Sequence, residues 1–249
     1  MAALASPSGW GRPPGGGADG GWRTYLPLDV PGFAWEFLRR NPGYRNDFAG
    51  SVARGSPTVD MRWGLRFAAD PDLARVSDVF WRQDVAPGIV LPLAADGFGD
   101  SGIVHRLPEG CARAAEDGLH IRLPAGLQLL LQGLSDASGP MVVMLAYDPH
   151  FGLRVKAAEA LDRAARGRPP LKSRLTNAQR TRLAKSLFAL DARLRGDSYR
   201  SIANALFGEN AVREESWRTA SLRAMTIRLV QAGRGLMEGG YLKLLRGGL

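Results

Sequence analysis

A helix face predicted near the C-terminus combines small polar side chains with one arginine. At 100° per residue, four residues share one side of a helix predicted from about residue 214 to about residue 231: Ser216, Thr219, Ala220 and Arg223. A guanidinium group can donate two hydrogen bonds to guanine, and small neighbours let a helix approach base edges in a major groove. This face is therefore our candidate for reading a DNA sequence.

Other basic residues are suited to contacts with phosphate. Arg218 and Arg228 flank the same face, and phosphate contacts position a protein on DNA without specifying a sequence. The remaining candidates are Arg200 in the preceding helix and two residues of an extended basic linker, Arg168 and Lys172. An ordinary three-helix bundle with a solvated arginine face explains the same spacings, so both interpretations stay open.

The positive charge is concentrated in the C-terminal part of the chain. From Arg154 onward there are 20 Lys and Arg against 8 Asp and Glu, whereas the preceding residues have 13 against 16. The net charge of +9 therefore belongs to the C-terminal part, as is typical of DNA-binding modules. The alternative is a basic surface that follows from an arginine-rich composition, since 29 Arg stand against 4 Lys.

Three helical signals must position the candidate residues. Thr176 and Gln179 fit a capping box, and four leucines at spacings of four, three and four follow: Leu183, Leu187, Leu190 and Leu194. Gly196 suits a left-handed C-terminal cap, and Asp197 and Ser198 can cap the next helix. These signals predict a first helix that ends in a tight turn.

The second and third helices are joined by a turn of the length that a helix-turn-helix needs. The second is predicted over residues 199–207, with four inward residues: Tyr199, Ile202, Ala203 and Leu206. Residues 208–210 are predicted to end this helix, and the side chain of Val212 is predicted to anchor the turn in the core. The buried seam of the third helix is predicted to contain Leu222, Met225 and Leu229.

The whole chain predicts an α+β fold, in which a small antiparallel sheet with N-terminal helices precedes an all-helical helix-turn-helix domain. The predicted segments are a disordered Gly/Pro-rich tail (1–24), an N-terminal region (25–84), the β region (85–148) and the basic helical domain (149–249). An amphipathic helix is predicted over residues 33–40 and a second over 44–54. Their aromatic residues are predicted to form a small core or a lid on the rest of the chain or, alternatively, a patch for a partner.

Four short apolar runs predict the strands of the sheet: residues 89–93, 119–123, 127–131 and 141–145. A helix is then predicted from residues 148–149 to about residue 166. Its inward residues are predicted to be Phe151, Val155, Ala158 and Leu161.

Catalytic and cofactor chemistry is not indicated. Residues 97–102 match a dinucleotide-binding glycine pattern, but the following residues do not begin a helix there, so we expect a glycine turn. His105, His120 and His150 lack partners at metal-ligand spacing. We expect no cofactor, no metal and no enzyme activity, and cofactor binding would distinguish the rival hypothesis of a nucleotide-binding enzyme. The single Cys111, with no export signal or membrane span, indicates the bacterial cytoplasm.

Many segments resemble a proteobacterial family. In the C-terminal half they are residues 190–203, 206–208, Trp217, 228–230 and 239–245, which resemble the domain of unknown function twenty-two eighty-five. In the N-terminal half they are residues 34–44, 63–67 and 79–82, which resemble the transcriptional-regulator-like domain that often precedes it.

This resemblance implies regulation of transcription. Two-domain members include activators linked to excision and transfer of integrative and conjugative elements. Short relatives are antiactivators that bind quorum-sensing regulators or the two-domain activators. Because this chain has both parts, the resemblance implies an activator that binds double-stranded DNA, with RNA polymerase or another transcriptional regulator as a further partner. The alternative is an interaction protein that sequesters another regulator.

Overall fold

The chain forms two compact units. The computed structural model describes residues 21–55, 58–95, 107–134, 140–171, 173–213 and 221–248. The helical unit contains residues up to 27 together with 179–233, and the mixed unit contains residues 28–178 together with 234–249. Residues 149–249, which were predicted as one segment, therefore contribute to both units. None of the helices in the described ranges is long and apolar enough to span a membrane.

Two capped helices open the mixed unit, α1 (Val30–Leu38) and α2 (Pro42–Ala53). The side chains of Asp29 and Asn41 accept hydrogen bonds from backbone N–H groups of the first turns, and a proline stands in each first turn. All nine residues of α1 are buried. The helix predicted over residues 33–40 is therefore present, but its predicted amphipathic character is wrong, because α1 lies inside the unit and has no solvent face.

The aromatic residues of this region form a core. Phe33, Trp35 and Phe37 are fully buried. Tyr44 contacts Trp35 and Trp63 edge to face, with ring centroids 5.9 and 5.8 Å apart. Of the two interpretations of these aromatic residues, the small core is confirmed.

One five-stranded sheet lies in the mixed unit, in the order β2-β3-β4-β1-β5. The strands are β1 (Val90–Ala95), β2 (Cys111–Ala115), β3 (Gly118–Arg122), β4 (Gln128–Gln132) and β5 (Met141–Val143). β1 pairs with β4 in parallel, and the other neighbours are antiparallel. The predicted antiparallel sheet is therefore mixed, and β2 was not predicted. Apolar runs mark strands, but they do not reveal which strands pair.

The two faces of the sheet are covered differently. On one face, Leu91, Leu129 and other apolar residues pack in a cluster with Ala157 and Leu161 of α3 (Phe151–Ala165). Val155, which was predicted to face inward, is 41% exposed. The other face meets the irregular segment 58–84, which includes 3₁₀ turns at Met61–Trp63 and Val76–Asp78. There Gln128 donates to the carbonyl oxygen of Val79 at 2.9 Å and accepts from the backbone of Trp81 at 2.8 Å.

The C-terminal residues complete the mixed unit. A π-helix (Leu236–Gly240) continues into α8 (Tyr241–Leu245), which packs against α1. The Tyr241 hydroxyl donates to the carbonyl oxygen of Trp63 at 3.0 Å, and burial raises the pKa of Tyr241 above its usual range.

The helical unit contains four α-helices in its described residues: α4 (Asn177–Leu194), α5 (Tyr199–Phe207), α6 (Glu209–Arg213) and α7 (Ser221–Gly235). Of the predicted leucine stripe on α4, Leu183, Leu187 and Leu190 are buried. A 3₁₀ turn, Gly21–Tyr25, belongs to this unit as well, and its first four residues had been assigned to the tail.

Candidate nucleic-acid interface

The turn between α4 and α5 is built by local sequence signals. Gly196 has a φ of 96°, a conformation that only glycine adopts readily, and the N–H of Asp197 donates to the carbonyl oxygen of Ala192 at 3.0 Å. The Ser198 hydroxyl then accepts from the backbone N–H of Ser201 at 3.1 Å. The predicted glycine cap and serine cap are confirmed, and together they fix where α5 begins.

An apolar cluster holds α4, α5 and α7 together. Its buried members are Ala189, Ala192, Ile202, Leu206, Leu229 and Val230. Val212 of α6 is also buried, as predicted. Residues 208–210 do not simply form a break, because Gly208 ends α5 with a φ of 93° and α6 begins at the next residue. Burial of Ile202 and Leu206 confirms the predicted inward face of α5.

Helix α7 packs on a different seam from the one predicted. Thr226, Leu229, Val230 and Gly233 are its buried residues, whereas Met225 is 46% exposed. Thr226 can be buried because its hydroxyl donates to the carbonyl oxygen of residue 222 at 2.7 Å, which satisfies the polar group. The helix is thus rotated by roughly 60° from the predicted orientation at 100° per residue. The assignment of Met225 to the seam is wrong.

This rotation changes where the arginines of α7 lie. Arg223 and Arg228 are both exposed. Measured around the helix axis, Arg228 lies about 30° from the centre of the exposed face and Arg223 about 110° from it. Arg223 nevertheless lies at the N-terminal end of the described part of α7, which residues 214–220, outside the described residues, precede.

The structure describes only some of the candidate residues. Arg200, Arg223 and Arg228 are exposed residues of the helical unit, and Arg168 is exposed in the mixed unit. The other candidates lie outside the described residues: Lys172, Ser216, Arg218, Thr219 and Ala220. The start of the predicted third helix near residue 214 falls in the same undescribed range. The helix-turn-helix assignment therefore stays a prediction.

The described part of the helical unit is strongly basic. Residues 21–27, 179–213 and 221–233 contain ten Lys and Arg against three Asp and Glu. One of these carboxylates, Asp191, is buried and accepts a hydrogen bond from the Tyr25 hydroxyl at 2.7 Å. A second, Asp197, pairs with Arg195 at 3.2 Å. The acidic groups therefore offset little of the positive surface, which suits binding to a polyanion.

Sequence reasoning missed some polar residues of the helical unit. Arg182, Arg193 and Arg195 of the α4 region are exposed, and Arg193 lies over the Tyr199 ring at 5.3 Å. Asn204 lines a pocket of about 230 Å³ together with Arg200 on α5. The spacing of four between these two residues was a signal in the sequence, because residues four apart share one face of a helix.

Two family models match different parts of the chain. Residues 144–246 match the model described as the DNA-binding domain of a T6SS transcription factor. Residues 23–68 match the proteobacterial transcriptional regulator-like domain. No curated protein matches the chain. The two matches support the interpretation of this chain as a DNA-binding transcriptional regulator, with DNA as its partner.

Proposed function

We propose that the chain is a sequence-specific transcriptional activator that binds double-stranded DNA through a helix-turn-helix formed by α5 and α7. The observation that carries this proposal is the excess of exposed arginine on the helical unit, in a segment that matches a DNA-binding domain. In this proposal Arg223 reads a base, and Arg200, Arg228 and Arg168 contact phosphate. Ser216, Arg218, Thr219, Ala220 and Lys172 complete the proposed surface.

The activator role and a link to excision or transfer of integrative and conjugative elements rest on the sequence resemblance. The second candidate is an antiactivator that sequesters another regulator. It needs a protein-binding surface but no surface that accepts phosphate. The basic composition of the helical unit favours the activator, because ten basic groups against three acidic ones repel other basic DNA-binding proteins.

A selection experiment followed by transcription separates these two functions. The full chain is used to select duplexes from a random-sequence pool, and the enriched site is placed upstream of a weak promoter. An activator enriches one sequence and raises transcript yield from purified RNA polymerase. An antiactivator enriches no sequence and leaves the yield unchanged. Arg223→Ala is the matched variant, since it removes the proposed base contact and should relax the enriched sequence at one base pair.

A further inference from the structure

A pocket of about 640 Å³ lies in the mixed unit, between the second face of the sheet and the segment 58–84. On the sheet side it is lined by Val90, Arg113, His120 and Leu130. Its volume lies in the range of roughly 300–1,000 Å³ that is usual for small-molecule sites. None of the proposed DNA-contacting residues lines it, so its function is separate from the proposed DNA surface.

Two of the three arginines of the pocket are already neutralised. Arg66 pairs with Asp117 at 2.7 Å, and Arg82 pairs with Asp84 at 3.0 Å. His120 also hydrogen-bonds Asp117 at 2.9 Å. Partial burial raises the pKa of Asp117, but the hydrogen bonds from Arg66 and His120 outweigh it and lower that pKa to about 2. Asp117 therefore stays ionised at neutral pH and keeps Arg66 engaged.

Arg113 is the third arginine, and it is held without a carboxylate. Its guanidinium carbon lies 4.3 Å from the centre of the Phe67 ring and 6.0 Å from that of Phe80. Within the ranges that the structure describes, no ion pair involves Arg113. Attraction to an aromatic face fixes the position of a guanidinium but does not consume its N–H donors. These donors can therefore bind an anion that enters the pocket.

The remainder of the lining sets the chemical class of that anion. Val59, Leu65, Val90 and Leu130 provide apolar wall, so the ligand needs an apolar body as well as a charged group. Glu116, the last carboxylate of the lining, and Arg113 are both exposed, so water screens both charges, but the Arg113 guanidinium is held in place against the Phe67 ring. With one uncompensated guanidinium, the pocket suits a single negative charge rather than two. A planar carboxylate matches the guanidinium fork.

We propose that this pocket binds a small organic monocarboxylate, with the carboxylate on Arg113 and an alkyl or aromatic body against the apolar wall. Its site is assembled from the sheet and the segment 58–84 alone.

Calorimetric titration of the full chain with sodium octanoate tests this proposal. We expect saturable binding of octanoate, and weaker or absent binding of the uncharged 1-octanol and the cationic octylamine. Arg113→Gln should weaken octanoate binding about two- to fivefold, because Arg113 is exposed and water screens its charge. Arg246→Gln is the matched control, because Arg246 is an exposed arginine of the same unit that does not line the pocket. It should leave the affinity unchanged.

A second variant keeps the test decisive if Arg113→Gln does not fold. Ala68 lines the pocket and is only partly buried, so Ala68→Leu fills the space without enlarging a packed core side chain. It should abolish octanoate binding while thermal denaturation stays cooperative. The proposal is overturned if octanoate fails to saturate the wild type, if octanol binds equally well, or if Ala68→Leu binds octanoate like the wild type.

Discussion

The crossing of α7 over α4 depends on the absence of a side chain at Gly233. A Cβ atom at this position would lie 2.6 Å from the carbonyl oxygen of Ser186 and 3.0 Å from the Cβ of Leu190. Neither atom can rotate away, so the helices must separate by several tenths of an ångström. Overpacking of this kind costs about 1–3 kcal/mol, and the better helix propensity of alanine returns about 1 kcal/mol. We expect Gly233→Ala to lower the free energy of unfolding by about 1 kcal/mol.

Gly235 provides the matched control two residues further along. It has helical backbone angles, and a Cβ there meets nothing within 4 Å. Gly235→Ala should therefore stabilise the protein by up to about 1 kcal/mol. Denaturant unfolding measures both variants, and DNA affinity should fall only for Gly233→Ala because α7 carries Arg223 and Arg228. Equal stabilisation by the two changes would refute the close approach of α7 to α4.

Three further predictions follow from particular side chains. Arg223→Ala should relax sequence preference at one base pair and cost about 1–3 kcal/mol of binding free energy at the cognate site, whereas Arg228→Ala should weaken binding to cognate and random DNA alike. Equal losses of affinity by the two variants on both DNAs would refute this division. Leu206→Ala should cost about 2–5 kcal/mol in urea unfolding, and Leu222→Ala less, because Leu222 is only half-buried. Asp117→Asn should lower the free energy of unfolding at pH 7. Because folding lowers the pKa of Asp117 from its ordinary value of 3.8 to about 2, the difference from the wild type should vanish as the pH falls from 3.8 to about 2. A difference that does not change with pH would contradict this prediction.

Features set by neighbouring residues could be predicted from the sequence. Gly196 and Ser198 cap adjoining helices through bonds that span three to five residues, and their types alone indicate those caps. The inward positions of α5 were found in the same way, because Ile202 and Leu206 share one face of a short helix. The charge asymmetry is likewise a property of composition.

Features set by distant residues could not be predicted. Met225 is more apolar than Thr226, so periodicity placed it in the seam of α7. The threonine is buried instead, because its hydroxyl is satisfied within the helix and because Gly233 permits a close approach. The parallel pairing of β1 with β4 joins residues far apart in the chain, and no local pattern encodes it.

The same distinction between neighbouring and distant residues applies to the candidate sites. Arg223 and Arg228 could be found from helical spacing, although the packing of the helix decided which of them lies nearer the centre of the exposed face. The pocket around Arg113 could not be found, because it depends on Phe67, Asp117 and His120, which come together only when the segment 58–84 crosses the sheet.

The most direct test of the central claim is the salt dependence of duplex DNA binding by the full chain. Fluorescence anisotropy with a labelled duplex gives the association constant from about 50 to 200 mM salt. Each phosphate contact contributes a slope of about −0.9 to the plot of log K against log salt. We predict a steep linear fall that becomes shallower by about one for Arg228→Ala. Binding that is absent at the lowest salt, or that does not change with salt, would contradict DNA recognition by this basic surface.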